Sequence, residues 1–127
     1  MKLVLDSSAV TSLATPSKGS LALMRWYRAR GAWPPQIPTV VLVECLTGDA
    51  GRDAPVHRLL KVCDIVEHVP TAVARAAARL RTVARRGSAV DALVVALAGP
   101  GGVVVTADLK DIRPLAAHAE NVAVERI

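Results

Sequence analysis

The stretch Lys2-Leu3-Val4-Leu5-Asp6-Ser7-Ser8-Ala9-Val10 constrains this chain more than any other. An apolar run of Leu3, Val4 and Leu5 stops on a carboxylate, followed by two small hydroxyl residues and a helix-compatible segment. A strand that is apolar at successive positions suits a sheet covered on both faces, because neither side is left for water. In such sheets ligands bind just beyond the carboxyl ends of the strands. Asp6 stands there.

The 127 residues suffice for one domain, taken as 1–127, with a substantial core. At 52% hydrophobic and 21% charged residues, the chain is globular rather than disordered. Its aromatics are only Trp26, Tyr27 and Trp33, so the core must pack small side chains on helices and β-branched ones on strands. Sixteen Lys and Arg against eleven Asp and Glu give +5. With four acids committed to one site, sixteen cations face seven acids and the remaining surface carries +9. A domain basic outside and acidic in one pocket suits a polyanion. A generally arginine-rich proteome gives the same balance without such a partner.

Cys45 and Cys63 have no C-x-x-C spacing and read as reduced, buried small hydrophobes. The first apolar run is cut by Asp6 after three residues, so no signal peptide is read. No segment reaches the roughly 18 apolar residues of a membrane helix. The expectation is a cytoplasmic chain with no membrane partner.

Strand one leads into a short helix over 8–14, then a turn cluster of Pro16, Ser17, Gly19 and Ser20. The pattern predicts a helix over 21–32, ended by Gly31 and Pro34-Pro35. A short strand over 36–39 contains Pro38, which forbids a central pairing position. Thr39 is placed to cap a helix over 40–46 that contains Glu44, and 49–53 reads as a polar loop. A helix over 56–62 and a strand over 65–69 follow. Thr71 is placed to cap an Ala/Arg helix running to Arg86, stopped by Gly87, and Ser88 to cap a nearly all-apolar helix over 89–98. Gly99-Pro100-Gly101-Gly102 breaks that helix, and Val103-Val104-Val105 is a buried strand ending at Thr106-Ala107-Asp108. A helix near 112–119 and a strand over 122–124 complete the chain. Strands alternating with helices predict an α/β fold, a three-layer α/β/α sandwich around a parallel sheet.

Four acids invite two readings each. Asp6 is placed to cap the helix after strand one, and Ser88-x-x-Asp91 has the spacing of a capping box. Asp108 follows a strand at a turn, where Asp hydrogen-bonds readily. Glu44 lies among Val41, Leu42, Val43 and Cys45; it is either buried, and then paired, metal-bound or aimed into a cavity, or on a solvated stripe of a short helix. Taken together, two acids end apolar strands and two sit on helices at positions that otherwise suit apolar residues. Converging carboxylates repel one another unless a hard cation lies between them, and oxygen ligands select Mg²⁺ or Mn²⁺. His57, His68 and His118 have no zinc-ligand spacing and read as surface or internally satisfied residues. Carboxylate-held metal beside a basic surface is an arrangement for phosphodiester hydrolysis.

With those residues in view, the chain resembles PIN domains, specifically VapC-type ribonuclease toxins of toxin–antitoxin pairs. The resemblance runs through Leu5-Asp6-Ser7-Ser8-Ala9-Val10, Ile37-Pro38-Thr39-Val40-Val41-Leu42-Val43-Glu44, Asp91-Ala92-Leu93-Val94-Val95-Ala96 and Val104-Val105-Thr106-Ala107-Asp108. It implies a PIN-like sheet with an acidic pocket for Mg²⁺ or Mn²⁺. It also implies cleavage of single-stranded RNA, a homodimer and neutralisation by a VapB-type antitoxin. Asp6, Glu44, Asp91 and Asp108 fall on the family's acidic positions, with Asp6, Asp91 and Asp108 as metal ligands. Asp111 is an accessory candidate, and Thr106 or Ser7 would orient water or a ligand. Two departures lie at the rim: the short Gly99–Gly102 connection, and Ile112 where an aromatic is common.

Two other functions compete. Haloacid-dehalogenase-like phosphatases also begin with Asp after a hydrophobic strand, but their second Asp, two residues on, is Ser8 here. A catalytically idle PIN-like module binding RNA or a partner is the alternative from a different class. Arg75, Arg79, Arg81, Arg85 and Arg86 lie on or just past one helix, and helical spacing puts 75, 79 and 86 on one face. That face is either solvated or an RNA track.

Overall fold

The computed structural model describes residues 1–127. Leu3, Val4 and Leu5 form strand β1 (Leu3–Leu5), and all three are buried. The chain continues through α1 (Ser7–Ala14), α2 (Lys18–Ala29), β2 (Gln36–Pro38), α3 (Thr39–Cys45), α4 (Ala50–Leu60) and β3 (Asp64–Val66). It then runs through α5 (Thr71–Ala84), α6 (Ala89–Ala98), β4 (Val103–Thr106), α7 (Leu109–Ala116) and β5 (Ala123–Arg126). All five strands are parallel, in the order β3-β2-β1-β4-β5. The predicted α/β three-layer sandwich is the observed architecture.

β1 is the centre of the sheet. Its residues pair in register with Val103, Val104 and Val105 of β4, and Val4 pairs with Gln36 of β2. Helices α1 to α4 pack among themselves and α5 to α7 among themselves, while α1 and α6 both meet β1 and β4. Burial on both faces is why these strands are continuous apolar runs. A cluster of 25 buried hydrophobic residues fills both inter-layer spaces. No helix is long and apolar enough to cross a membrane.

Pro38 stands last in β2, opposite Val66 of β3, and β1 pairs with this strand only at Gln36. The strand is therefore internal, but its proline lies beyond the pairing with β1. Neither Thr39 nor Thr71 caps its helix; each is the first helical residue, and Pro38 and Pro70 occupy the cap positions without a side-chain bond. The proline ring fixes φ in an extended entry to each helix, and no side chain accepts from the first-turn amides. The predicted 49–53 loop is instead the start of α4, with the Asp49 side chain accepting from the Arg52 amide at 2.8 Å. The helix of 71–86 stops at Ala84, because Arg85 turns left-handed at φ 53° and Gly87 follows at φ +86°.

Two glycines are required by close approach. A Cβ at Gly87 would stand 2.6 Å from Leu115 Cδ1. At Gly102 it would stand 2.2 Å from the Ala98 carbonyl oxygen and 3.0 Å from that of Lys2.

Asp53, within the region read as a loop, is buried and fixes the α3–α4 connection. Its carboxylate accepts from the Thr47 amide (3.0 and 3.1 Å), the Thr47 hydroxyl (2.8 Å) and the Gly48 amide (2.9 Å). The Thr47 amide leads in holding its pKa below the ordinary carboxylate value. A lowered folded-state pKa gives stability present above the unfolded value and lost as pH falls through the folded one. Asn at this position would turn an N–H against the Gly48 or Thr47 amide. Asp53→Asn is therefore expected to lower Tm at neutral pH. The difference from wild type should shrink as both are melted at pH values falling through the ordinary carboxylate range and below. A pH-independent difference would mean that shape rather than charge holds the loop.

Candidate active site

In an all-parallel sheet the helices return antiparallel to the strands, so the N-termini of α1, α6 and α7 gather at the carboxyl edge. Asp6 immediately precedes α1, Asp91 lies in the first turn of α6, and Asp108 immediately precedes α7. Strand order reverses direction between β1 and β4, which is where open α/β sheets form their ligand crevice. Asp6 follows β1 and Asp108 follows β4, so the two bracket that crevice.

Asp6 is the buried member, 3% exposed. Its Oδ1 accepts from Ser8 Oγ at 2.7 Å and from the Ala9 amide at 2.9 Å. Its Oδ2 accepts from the Thr106 hydroxyl. Ser8 Oγ in turn accepts from the Ala107 amide at 2.8 Å, and Thr106 Oγ1 from the Asp108 amide at 2.8 Å. Each hydroxyl has one proton, and both are given to Asp6. The 3.2 Å approach of Ser8 Oγ to Thr106 Oγ1 is then two oxygens in contact rather than a donated bond. The β1–α1 and β4–α7 turns are thereby stapled together across the crevice. Burial pushes the Asp6 carboxyl above its ordinary range; the bonds from Thr106, Ala9 and Ser8 pull it back, and the nearby Asp91 charge raises it again.

The other acids serve their helices. Asp91 Oδ2 accepts from the Ser88 amide and Ser88 Oγ from the Asp91 amide, both at 3.1 Å, forming the predicted capping box. Asp108 Oδ1 accepts from the Asp111 amide at 3.3 Å. Asp111 is paired with Arg86, Oδ1 to Nε at 3.1 Å. Glu44 is exposed, so the expectation of a carboxylate forced into a pocket is not met. The reason is local: α3 is a seven-residue helix whose only buried residue is Val41, and neighbouring Val43 is 82% exposed. Cys45, next to Glu44, has its Sγ donating to the Ser7 carbonyl at 3.7 Å. Burial, then the Glu44 and Asp6 charges, push its thiol up to about 11, and burial does the same for Cys63. Both cysteines are free and half-buried, hence inert thiols at neutral pH. His57, His68 and His118 are all exposed, as predicted.

The chemistry of the acids suits a hard cation, because each keeps unused oxygen positions. Asp6 has a lone pair left on Oδ2, Asp91 has Oδ1 and Asp108 has Oδ2. Their placement is looser than a finished site: nowhere do three or more His, Cys, Asp or Glu stand close enough to hold one ion. Three surface cavities, of about 480, 250 and 490 Å³, are lined by none of the four acids. Of the two hydroxyls read from the sequence as orienting water or a ligand, Thr106 bonds Asp6, and Ser8, rather than Ser7, is the other hydroxyl on it. The signal was available, since an N-cap carboxylate meets side chains and amides two and three positions on.

No protein-family model matches the chain, and no curated protein matches it in sequence. Among solved structures, that of PAE2754 from Pyrobaculum aerophilum is similar, with a TM-score of 0.62 and 19% sequence identity. The match covers 98% of this chain and 92% of that one, a likeness of fold over essentially the full length.

Proposed function

We propose that this chain is a PIN-like endoribonuclease of the VapC toxin type, dependent on Mg²⁺ or Mn²⁺. It acts on single-stranded RNA in the cytoplasm, as a homodimer, and a VapB-type antitoxin neutralises it. Asp6 carries this reading. It is a buried carboxylate whose charge is disfavoured by burial and by Asp91, yet no Lys or Arg pairs with it. The chain's one ion pair is elsewhere, between Arg86 and Asp111. A buried charge of this kind calls for a cation. Asp6, Asp91 and Asp108 would hold it through their unused oxygens, with Glu44, exposed on α3, as the fourth acid. A divalent ion there supplies an activated water and stabilises the departing oxygen. The chain's own part is to fix Asp6 through Ser8 and Thr106 and to keep the crevice at the sheet edge open to a strand of RNA.

A second reading has an observation of its own. Asp6 and Asp108 are helix N-caps and Asp91 completes the capping box of α6, which is what an idle RNA- or partner-binding module of the same fold would retain them for. Chelation separates the two. The purified protein is expected to cleave RNA with Mg²⁺ or Mn²⁺ and to stop in EDTA. Binding to RNA without cleavage in either condition would establish the idle module.

A further inference from the structure

Between Glu67 and Asp91 the chain carries five arginines and no acid, and all five arginines are exposed. Arg75, Arg79 and Arg86 do not share the face that helical spacing predicts. Because α5 ends at Ala84 and Arg85 turns left-handed, Arg86 leaves the row of Arg75 and Arg79 and joins Arg81 and Arg85. These three, with Thr82 and Gly87, line an open cavity of about 490 Å³ that contains no acidic side chain. A non-glycine residue is uncommon at positive φ, and here that turn brings three guanidinium groups around one hollow.

The hollow adjoins the acidic edge. Arg86 Nε meets Asp111 Oδ1 at 3.1 Å, the Asp111 amide meets Asp108 Oδ1 at 3.3 Å, and the Asp108 amide meets Thr106 Oγ1 at 2.8 Å. Thr106 then donates to Asp6. Asp111 neutralises Arg86, but nothing neutralises Arg81 or Arg85.

We propose that Arg81, Arg85 and Arg86 are a phosphate clamp that holds the backbone of single-stranded RNA next to the acidic crevice. This rests on the RNA-cleaving reading and names where that substrate is gripped. Guanidinium forks match phosphate oxygens, and such contacts grip a backbone without reading its bases. An acidic protein partner fits less well, because Ala78 is the hollow's only apolar side chain and a protein interface needs buried anchors.

The test compares two pairs that remove equal charge. Arg81→Gln with Arg85→Asn alters the clamp, asparagine being chosen because it tolerates the left-handed backbone. Arg75→Gln with Arg79→Gln alters the helix face. Binding of a fluorescent oligoribonucleotide of mixed sequence is measured in EDTA over a range of salt concentrations. The clamp pair should weaken binding about tenfold at low salt and reduce the log–log salt slope by about 1.4, since each lost contact to a single strand removes about 0.7. The helix-face pair should leave both nearly unchanged. Equal losses in the two pairs, or none in either, would overturn the clamp. So would a polyglutamate competitor that displaces RNA as well as unlabelled RNA does. RNA held through the clamp but uncleaved in Mg²⁺ would uphold the clamp and refute only the nuclease reading.

Discussion

Asp6→Asn is expected to fold as well as the wild type and to lose nearly all RNA cleavage. The hydrogen bonds can be rearranged without loss. Asn Oδ1 keeps the Ala9 amide and Ser8 hydroxyl, while its N–H turns to Thr106 Oγ1, and the Thr106 proton swings to Ser8 Oγ, 3.2 Å away. The folded-state pKa of Asp6 is raised, chiefly by burial. Stability is therefore lost as pH rises from the unfolded value through the folded one, and the charge costs most above that window. The variant should thus melt level with or slightly above wild type at neutral pH, with any advantage vanishing below the ordinary carboxylate range. Cleavage should fall by more than the roughly 10–100-fold typical of residues that only support a metal ligand. Melting curves, Mg²⁺ affinity and cleavage rate on one preparation decide it. Near-normal cleavage would make Asp6 a helix cap and nothing more. Asp53→Asn, at an equally buried carboxylate, should behave oppositely in stability because Asp53 accepts amide protons on both oxygens.

Gly102→Ala should be the most damaging small substitution in the chain. The added Cβ would lie 2.2 Å from the Ala98 carbonyl oxygen, a backbone atom that cannot rotate away. That same oxygen accepts the Gly102 amide at 2.9 Å, and the adjacent Val103 amide bonds to the Lys2 carbonyl at 2.9 Å. Relief must therefore displace the junction of α6 with β4 and the first pairing of β4 with β1. Overpacking of this kind costs about 3 kcal/mol or more, at the upper end of core insertions. Tm should fall by roughly 10 °C or more for a domain of this size. Gly101→Ala, where φ is +82° but no atom lies within 4 Å, should cost less. Equal losses at both positions would mean that the Gly102 collision is relieved as cheaply as the left-handed strain of an alanine at position 101.

The sheet was legible because its strands are buried on both faces, so Leu3–Leu5 and Val103–Val105 announce themselves without reference to partners. The Ser88–Asp91 box was legible because both ends of that interaction lie within one turn. Glu44 was misjudged for the opposite reason: apolar neighbours in sequence imply burial only if the helix is covered, and α3 is too short to be covered on its outer side. Asp53 was passed over because polar residues and Gly51 suggested a loop over 49–53, whereas Asp49 caps a helix that begins there. The grouping of Arg86 with Arg81 depends on one left-handed residue, Arg85, and no helical periodicity carries that information. Which acids meet was visible only through the fold class, since Asp6 and Thr106 are brought together by strand order alone.

The centre of the sheet joins the two ends of the chain: Leu3 stands opposite Val103, and Asp6 is completed by Thr106. During synthesis β1 leaves the ribosome first, yet its main partner is made last but one among the strands. Contacts so distant in sequence form slowly, and the nascent chain lacks them altogether until residue 106 has emerged. Products truncated before that point, between α6 and β4, therefore carry Asp6, Glu44 and Asp91 but lack both Asp108 and the strand that completes the edge. For a protein proposed to cut RNA, that delays the assembled edge until β4 and the turn after it have left the ribosome.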